Sequence, residues 1–314
     1  MAVEMSLDER YTFLKQAGQG TYGTTWIAED VMTGKRVIIK AISKNNTGRS
    51  DFKRELKYAK YLSKHPNIIT THDTAYETKT SYVTVQDYAS GGDLFDAIEP
   101  EVGLKESTAK AYLGQICRAV EYMHSKNLVH RDIKPENIVL SDKEGSSVQL
   151  IDFGMTLKVG THVPRVCGSI PYTPPEICNA PDDIGFLVDP SCDVWSVGIL
   201  LFCMLTGSFP WEQATLSDRN YYEFVQWQCG ATNKPPRAWQ KFSSKLLTLF
   251  KKMLAMHPED RCSITEVYKY LNDVWLNTYD AFEIYSHVSS QQCGLSSELI
   301  YPSSQHLATS VTAF

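Results

Sequence analysis

Several things are missing from this chain, and each absence removes a class of protein. The strongly apolar run at residues 194–205 is too short to span a bilayer, so it reads as a buried core helix and no membrane span is expected. Net charge is −5, which leaves no basic footprint for nucleic acid. Eight cysteines are scattered with no Cys-x-x-Cys pair, and no apolar signal segment opens the chain. Both features point to a reducing compartment, cytoplasmic with a nuclear share, and to free thiols instead of a disulfide framework. No internal repeat is visible, which excludes a repeat array. What remains is ample apolar material: 314 residues at 43% hydrophobic content can bury a large core, and two lobes are expected at that size.

The organisation reads in four parts. Residues 1–10 form a leader. Residues 11–86 are strand-rich around one helix, expected over 50–63 from the spacing of Phe52, Leu56, Ala59 and Leu62, with Asp51 expected to cap its start. Residues 87–93, with Ser90, Gly91 and Gly92, break the last strand and read as a connector. From 94 to 278 helices dominate, one over 111–125 with Tyr112, Ile116, Ala119, Val120 and Met123 on one face. Residues 279–314 are rich in Ser, Gln and Thr with little periodicity, and are expected to be a disordered tail.

The chemistry is concentrated in two stretches. His130, Arg131, Asp132, Ile133, Lys134, Pro135, Glu136 and Asn137 put a carboxylate, an ammonium and an amide on one short loop, and Asp152, Phe153 and Gly154 follow beyond a strand-like run. Phosphoryl transfer needs this inventory: a carboxylate to orient a hydroxyl and take its proton, a cation near the moving phosphate, and two oxygen ligands for magnesium. Upstream, Gly18, Gln19, Gly20, Thr21, Tyr22 and Gly23 make a Gly-x-Gly-x-x-Gly loop. Alone it also fits a dinucleotide-binding turn or a plain hairpin. The β-branched and aromatic residues after it (Thr24, Thr25, Trp26, Ile27) read as a strand, where a dinucleotide fingerprint needs a helix. A further strand, 36–40, ends in Lys40, and Glu55 is the acid beside the apolar stripe of the following helix.

These motifs, in this order, resemble the protein kinase family over residues 11–278. The resemblance implies an α+β bilobal fold: a small antiparallel N-lobe sheet with one helix (11–86), a connector (87–93) and a larger helical C-lobe (94–278). It implies an enzyme that moves the γ-phosphoryl group of ATP, with Mg2+, onto hydroxyl groups of protein substrates. Asp132 matches the catalytic base, Lys134 the cation at the transferred phosphate, and Asn137 and Asp152 the magnesium ligands. Lys40 matches the lysine on the α- and β-phosphates, fixed by an ion pair with Glu55. His130 and Phe153 would pack between the lobes, Glu176 would pair with Arg261, and Asp193 would hold the catalytic-loop backbone. Lys134 and Ser169 mark the acceptor as serine or threonine. Val166 to Tyr172, the insert at 185–189 and the segments at 209–212 and 223–228 resemble the SH3-domain-binding kinase family. The tail has one proline, Pro302, so SH3 binding is not carried over.

Departures from the family pattern shape further expectations. Gln19, Thr21, Tyr22, Thr25, Ile38, Asp87, Ala89 and Val139 join the glycines and Lys40 around the nucleotide, with Asp93 toward the ribose and Gln86 as a polar gatekeeper. Thr25 replaces a usual valine and Ile38 a usual alanine, and the added bulk at Ile38 predicts weaker ATP affinity. Between Gly154 and Cys167 the only hydroxyls are Thr156 and Thr161, and Arg165 stands where a phosphothreonine is common, so activity without activation-segment phosphorylation is expected. Glu136, Asp93 and Asp96 form either an acidic rim for basic substrates or a solvated acidic face, Cys203 taking the place of a second acid. Cys167 reads as plain packing. A pseudokinase, a kinase-shaped ATP-binding scaffold, is the competing class. At the end of the chain, Thr312, Ala313 and Phe314 fit a PDZ carboxylate ligand.

Overall fold

The structure, a computed structural model, describes residues 6–20, 23–164, 170–181 and 184–277. A first turn of helix, α1 (Leu7–Arg10), leads into an antiparallel sheet in the order β1-β2-β3-β5-β4. Its strands are β1 (Tyr11–Gly20), β2 (Gly23–Asp30), β3 (Arg36–Ser43), β4 (Thr71–Glu77) and β5 (Ser81–Asp87). Asp30 shapes the β2–β3 turn: its carboxylate accepts the Met32 N–H at 2.9 Å and pairs with Arg10 at 3.2 Å. Tyr11, Ala28, Val37, Ile39, Val83 and Val85 bury one face of the sheet as a small core, the alternation that β-branched residues favour on a pleated surface.

The helix expected over 50–63 is α2 (Arg49–Leu62). Phe52, Ala59 and Leu62 are buried, and Phe52 stacks on Tyr82 of β5 with ring centroids 4.6 Å apart. Asp51 does not cap it. Gly48 holds the N-cap position, and the Asp51 carboxylate instead pairs with Arg54 at 2.6 Å, because a first-turn acid is one turn from a guanidinium at i+3.

Beyond the connector come α3 (Leu94–Ala97) and α4 (Glu106–His124). The predicted face of α4 is buried throughout, but the helix begins five residues before position 111. Glu106 explains the early start: its carboxylate accepts the N–H groups of Trp275 and Leu276, both at 3.0 Å, and pairs with Lys110 at 2.6 Å. Short strands follow: β6 (Leu128–Val129), β7 (Ile138–Leu140), β8 (Val148–Leu150), β9 (Leu157–Lys158) and β10 (His162–Val163). β6 pairs with β9, and β7 with β8. Then come α5 (Pro175–Cys178), β11 (Phe186–Leu187), α6 (Ser191–Thr206), α7 (Arg219–Gln228) and α8 (Ser244–Met253).

All residues of α6 are buried, as its apolar run predicts, and it is the axis of the large core. Trp195, Trp211, Phe202, Trp239 and Phe250 pack there in tilted, edge-on and stacked pairs; truncating any one to alanine costs roughly 3–5 kcal/mol. Side-chain caps fix the later helices: Asp218 accepts the Tyr221 N–H at 3.0 Å, and Ser243 the Leu246 N–H at 3.3 Å. Among the described residues no helix is long and apolar enough to cross a membrane.

Candidate active site

The loop after β6 is tied down from below by α6. Asp193, with no exposed surface, accepts the backbone N–H of His130 at 2.9 Å and of Arg131 at 2.8 Å, and its Oδ2 lies 2.9 Å from His124 Nε2. Burial alone would raise the Asp193 carboxyl. His124, His130 and the Arg131 N–H outweigh it and hold the group below the ordinary aspartate value. These bonds fasten a loop whose backbone is strained at Arg131, φ 70°; Asp152, beyond β8, has φ 65° as well. Left-handed backbone at such residues costs about 1–3 kcal/mol each and persists where surrounding bonds over-determine it.

On this support the polar side chains converge. Asp132 Oδ2 is 3.0 Å from Lys134 Nζ and accepts from Asn137 Nδ2 at 2.8 Å. The same Nδ2 donates to the Asp132 carbonyl at 2.8 Å, which orients the amide and turns its oxygen away from Asp132. His130 Nε2 donates to Ile151 O at 3.1 Å, and the ring meets Phe153 edge-on with centroids 5.5 Å apart. The predicted Glu176–Arg261 pair is two-pronged at 2.8 and 2.5 Å, and Arg261 Nε also donates to Ala255 O at 2.9 Å.

One cavity under the sheet is lined by Gly20, Gly23, Thr25, Lys40, Glu55, Asp132 and Asp152, all expected there. Asn46, Thr47 and Asp51 also line it and were not foreseen; the hydroxyl and carboxamide clustered just before α2 are the only sequence signal for them. A side-chain carbon at Gly23 would lie 2.1 Å from the Ala41 carbonyl, so that position admits only glycine. Gly18 and Gln19 lie on β1 opposite Thr25 and Thr24. Thr21, Tyr22, Arg165, Cys167 and Ser169 lie outside the described residues, as do Thr312, Ala313 and Phe314 with the tail from 278 onward.

The expected ion pair between Lys40 and Glu55 is corrected by the structure. Among the described residues no hydrogen bond or ion pair joins their side chains, although the Lys40 charge still acts on Glu55. Glu55 turns toward Asp152 and Gly154: a carbon placed on Gly154 would be 3.4 Å from oxygens of both carboxylates. Burial raises the Glu55 pKa first, the Asp152 charge raises it further, and Lys40 and Arg54 offset this only in part. Asp152 behaves oppositely. Burial would raise it, but Lys40, the Gly154 N–H, His130 and Lys134 together lower it. The Lys40 charge is thus shared between two acids.

On the connector side, Ile38 stands opposite Gln86 in the β3–β5 register and opposite Ile27 across β2. Gln86 is buried and its amide donates to the Thr71 hydroxyl at 3.1 Å. The Asp87 N–H is committed to Thr70 O at 3.0 Å, and its carboxylate lies 2.7 Å from His72 Nε2. Asp93 bridges to Val139 and caps α3 by accepting the Asp96 N–H at 2.9 Å. Ala89 is half-buried in the connector. Asp96 and Glu136 are exposed and Asp93 half-buried. Cys203 is buried, with its thiol pushed up to about 12 by burial.

Among the described residues no cluster of three His, Cys, Asp or Glu could hold a metal by itself. Asp152 and Asn137 instead offer two hard oxygens, a set that suits magnesium when phosphate oxygens and water complete the shell.

The chain matches the protein kinase domain family over residues 11–275. It is 46% identical over 273 residues to the serine/threonine-protein kinase SBK1 of Danio rerio, covering 87% of this chain and 71% of that protein. It is 45% identical over 263 residues to SBK1 of Mus musculus (84% and 63%), and 36% identical over 274 residues to the serine/threonine-protein kinase meng-po of Drosophila melanogaster (87% and 60%). The chain therefore spans roughly two thirds of the length of these relatives.

Proposed function

This chain belongs to the protein kinase domain family and is a serine/threonine protein kinase close to the SBK kinases, and from that premise we propose how its residues carry the reaction. Asp132 orients the acceptor hydroxyl and takes its proton as the new O–P bond forms and the bond from the γ-phosphorus to the β–γ bridging oxygen breaks, leaving ADP. Lys134, 3.0 Å from the same carboxylate, meets charge on the transferred group. Lys40 and the glycine loop align the α- and β-phosphates of ATP. Asp152 and Asn137 would hold Mg2+, which when bound would neutralise charge on the phosphate oxygens. Catalysis by this set is positioning plus electrostatics.

The observation that carries the reading is the joint placement of Lys40, Asp132 and Asp152 on one cavity, with Asn137 and Lys134 both bonded to Asp132. A scaffold that had abandoned chemistry would have no reason to keep this set together. The test is radiolabelled transfer from Mg-ATP to a Ser/Thr peptide array by purified protein, with Asp132→Asn and Asp152→Asn alongside. Transfer lost in both variants supports the assignment. No transfer by the wild type at millimolar ATP would favour a pseudokinase.

We also propose a reducing compartment, cytosol with a nuclear share, on the ground that the eight cysteines are scattered with no Cys-x-x-Cys pair; imaging of the tagged chain in cells checks this. Thr312, Ala313 and Phe314 remain a proposed PDZ ligand, checked by pull-down with and without the last three residues.

A further inference from the structure

The insert at 185–189 takes no part in the cavity, yet it is built into the catalytic loop's surroundings. β11 pairs antiparallel with β10, His162 opposite Leu187 and Val163 opposite Phe186. The pairing continues past the strands: Val188 N–H donates to Thr161 O at 2.9 Å, and Gly160 N–H to Val188 O at 2.8 Å. Gly185 has φ 68°, and a side-chain carbon there would lie 2.1 Å from Val163 O. Only glycine lets the two backbones approach so closely.

Val188 is buried against Val129 and Val163, with Leu157 and Phe186 packed on them. Val129 directly precedes His130, so this small core abuts the catalytic loop. The ring of Phe186 lies under the guanidinium of Arg131, whose Cζ is 5.5 Å from the ring centroid. Arg131 also donates to Met155 O at 3.1 Å. Among the described residues no carboxylate makes an ion pair with its side chain. Burial depresses the Arg131 pKa, and the Arg54 charge adds to that effect. The Asp193 charge offsets part of that burial cost, and the aromatic face of Phe186 adds to the offset.

In kinases switched by phosphorylation, a phosphate on the activation segment pairs with the arginine before the catalytic aspartate. Here the two hydroxyls open to that role are poorly placed. Thr156 is fully buried, and Thr161 is half-buried in a segment whose backbone is paired to Lys158 and Val188, so its alanine variant belongs in the test.

We propose that β11 is a built-in clamp that stands in for this phosphate, with Phe186 and Val188 as positioning residues that hold Arg131 and the β9–β10 segment in the working arrangement. The proposal rests on the kinase reading above. Phe186 is not a catalytic residue, since it acts through Arg131 and the loop that carries Asp132.

The test uses the purified full chain, phosphatase-treated, with Phe186→Ala, Phe186→Tyr, Leu187→Ala and Thr161→Ala. Measured are kcat and KM on a Ser/Thr peptide, binding of a fluorescent ATP analogue, melting temperature, and amide hydrogen exchange over residues 128–132 and 157–163. Phe186→Ala should lower kcat about tenfold, as loss of a desolvated cation–π contact implies. Nucleotide binding should stay at the wild-type value, melting temperature should fall only by the loss of one half-buried ring from this cluster, and exchange over both segments should quicken. Tyrosine at 186 should restore kcat. Leu187, exposed on the other side of the strand, and Thr161 should tolerate alanine. A wild-type kcat in Phe186→Ala, or a dead Thr161→Ala beside an active phosphorylated wild type, overturns the clamp and leaves the kinase reading standing. If the wild type transfers no phosphate, the kinase reading fails, and exchange still decides the clamp: unchanged exchange in Phe186→Ala overturns it, quickened exchange upholds it.

Discussion

The Asp193 carboxylate reaches across from α6 to accept the backbone N–H of Arg131 at 2.8 Å. The residue that receives this bond has left-handed backbone, and the bond is paired with a second one to His130 at 2.9 Å. A buried helix therefore sets the shape of the loop that carries Asp132, and two kinds of effect should follow when the carboxylate is changed.

Asp193→Ala should cost about 3–5 kcal/mol of folding stability, the range for removing one partner of a buried charged network, and should abolish transfer. Asp193→Asn tests the charge alone. Because the folded carboxyl titrates below its ordinary 3.8, its stabilisation is present above that pH and is lost as pH falls through the lower folded value. Urea unfolding against pH should show this acid-side loss in the wild type. The asparagine variant should be less stable at neutral pH and lack that part of the slope.

Arg261 and Glu176 make a second long-range link, with the Arg261 side chain fully buried and the Glu176 side chain 25% exposed. Arg261→Ala should cost about 3–5 kcal/mol, since it strands the carboxylate and vacates the site over Trp195. Replacing both partners together, Arg261→Met with Glu176→Leu, should cost clearly less than the two single changes added. A double-mutant cycle by chemical denaturation measures the coupling, and additive losses would contradict it.

What could be read from the sequence was what the chain keeps local. Asp132, Lys134 and Asn137 fall within one short loop, so their convergence needs little tertiary information. α6 was legible because an apolar run leaves a helix no exposed face. The start of α4 was hidden, because Glu106 is satisfied by Trp275 and Leu276, about 170 positions away. The orientation of Glu55 was hidden for a related reason: its turn toward Asp152 depends on how α2 sits over the loop beyond β8. The insert at 185–189 could be seen as a feature of the sequence, but its purpose could not. A glycine followed by Phe186 and Val188 signals a short strand, and only the pairing with β10 discloses what that strand holds.

Ile38 faces Gln86 across the β3–β5 register; it does not line the cavity under the sheet, and the kinase resemblance alone sets adenine beside it. Ile38→Ala should lower KM for ATP, by about tenfold if it relieves crowding worth one methylene in a tight pocket. Steady-state kinetics at varied ATP, with peptide saturating, would reveal it. An unchanged or raised KM would mean that Ile38 packs against the purine and does not crowd it.

Glu55 offers the sharpest pH experiment. Burial first, and then the Asp152 charge, raise its pKa above the ordinary 4.5, and the Lys40 and Arg54 charges offset this only in part. A carboxyl raised in the folded state contributes most to stability below its unfolded pKa, and that contribution is lost as pH rises through the folded value. At neutral pH the ionised Glu55 is therefore a cost that the fold carries. Glu55→Gln keeps the shape and removes the charge. Thermal unfolding of the variant should match wild type well below pH 4.5 and exceed it at neutral pH, while phosphoryl transfer falls because Lys40 loses a carboxylate that helps to position it. A variant that melts lower than wild type at neutral pH would show that the charge stabilises the protein, and that in solution Lys40 and Glu55 close into a direct pair.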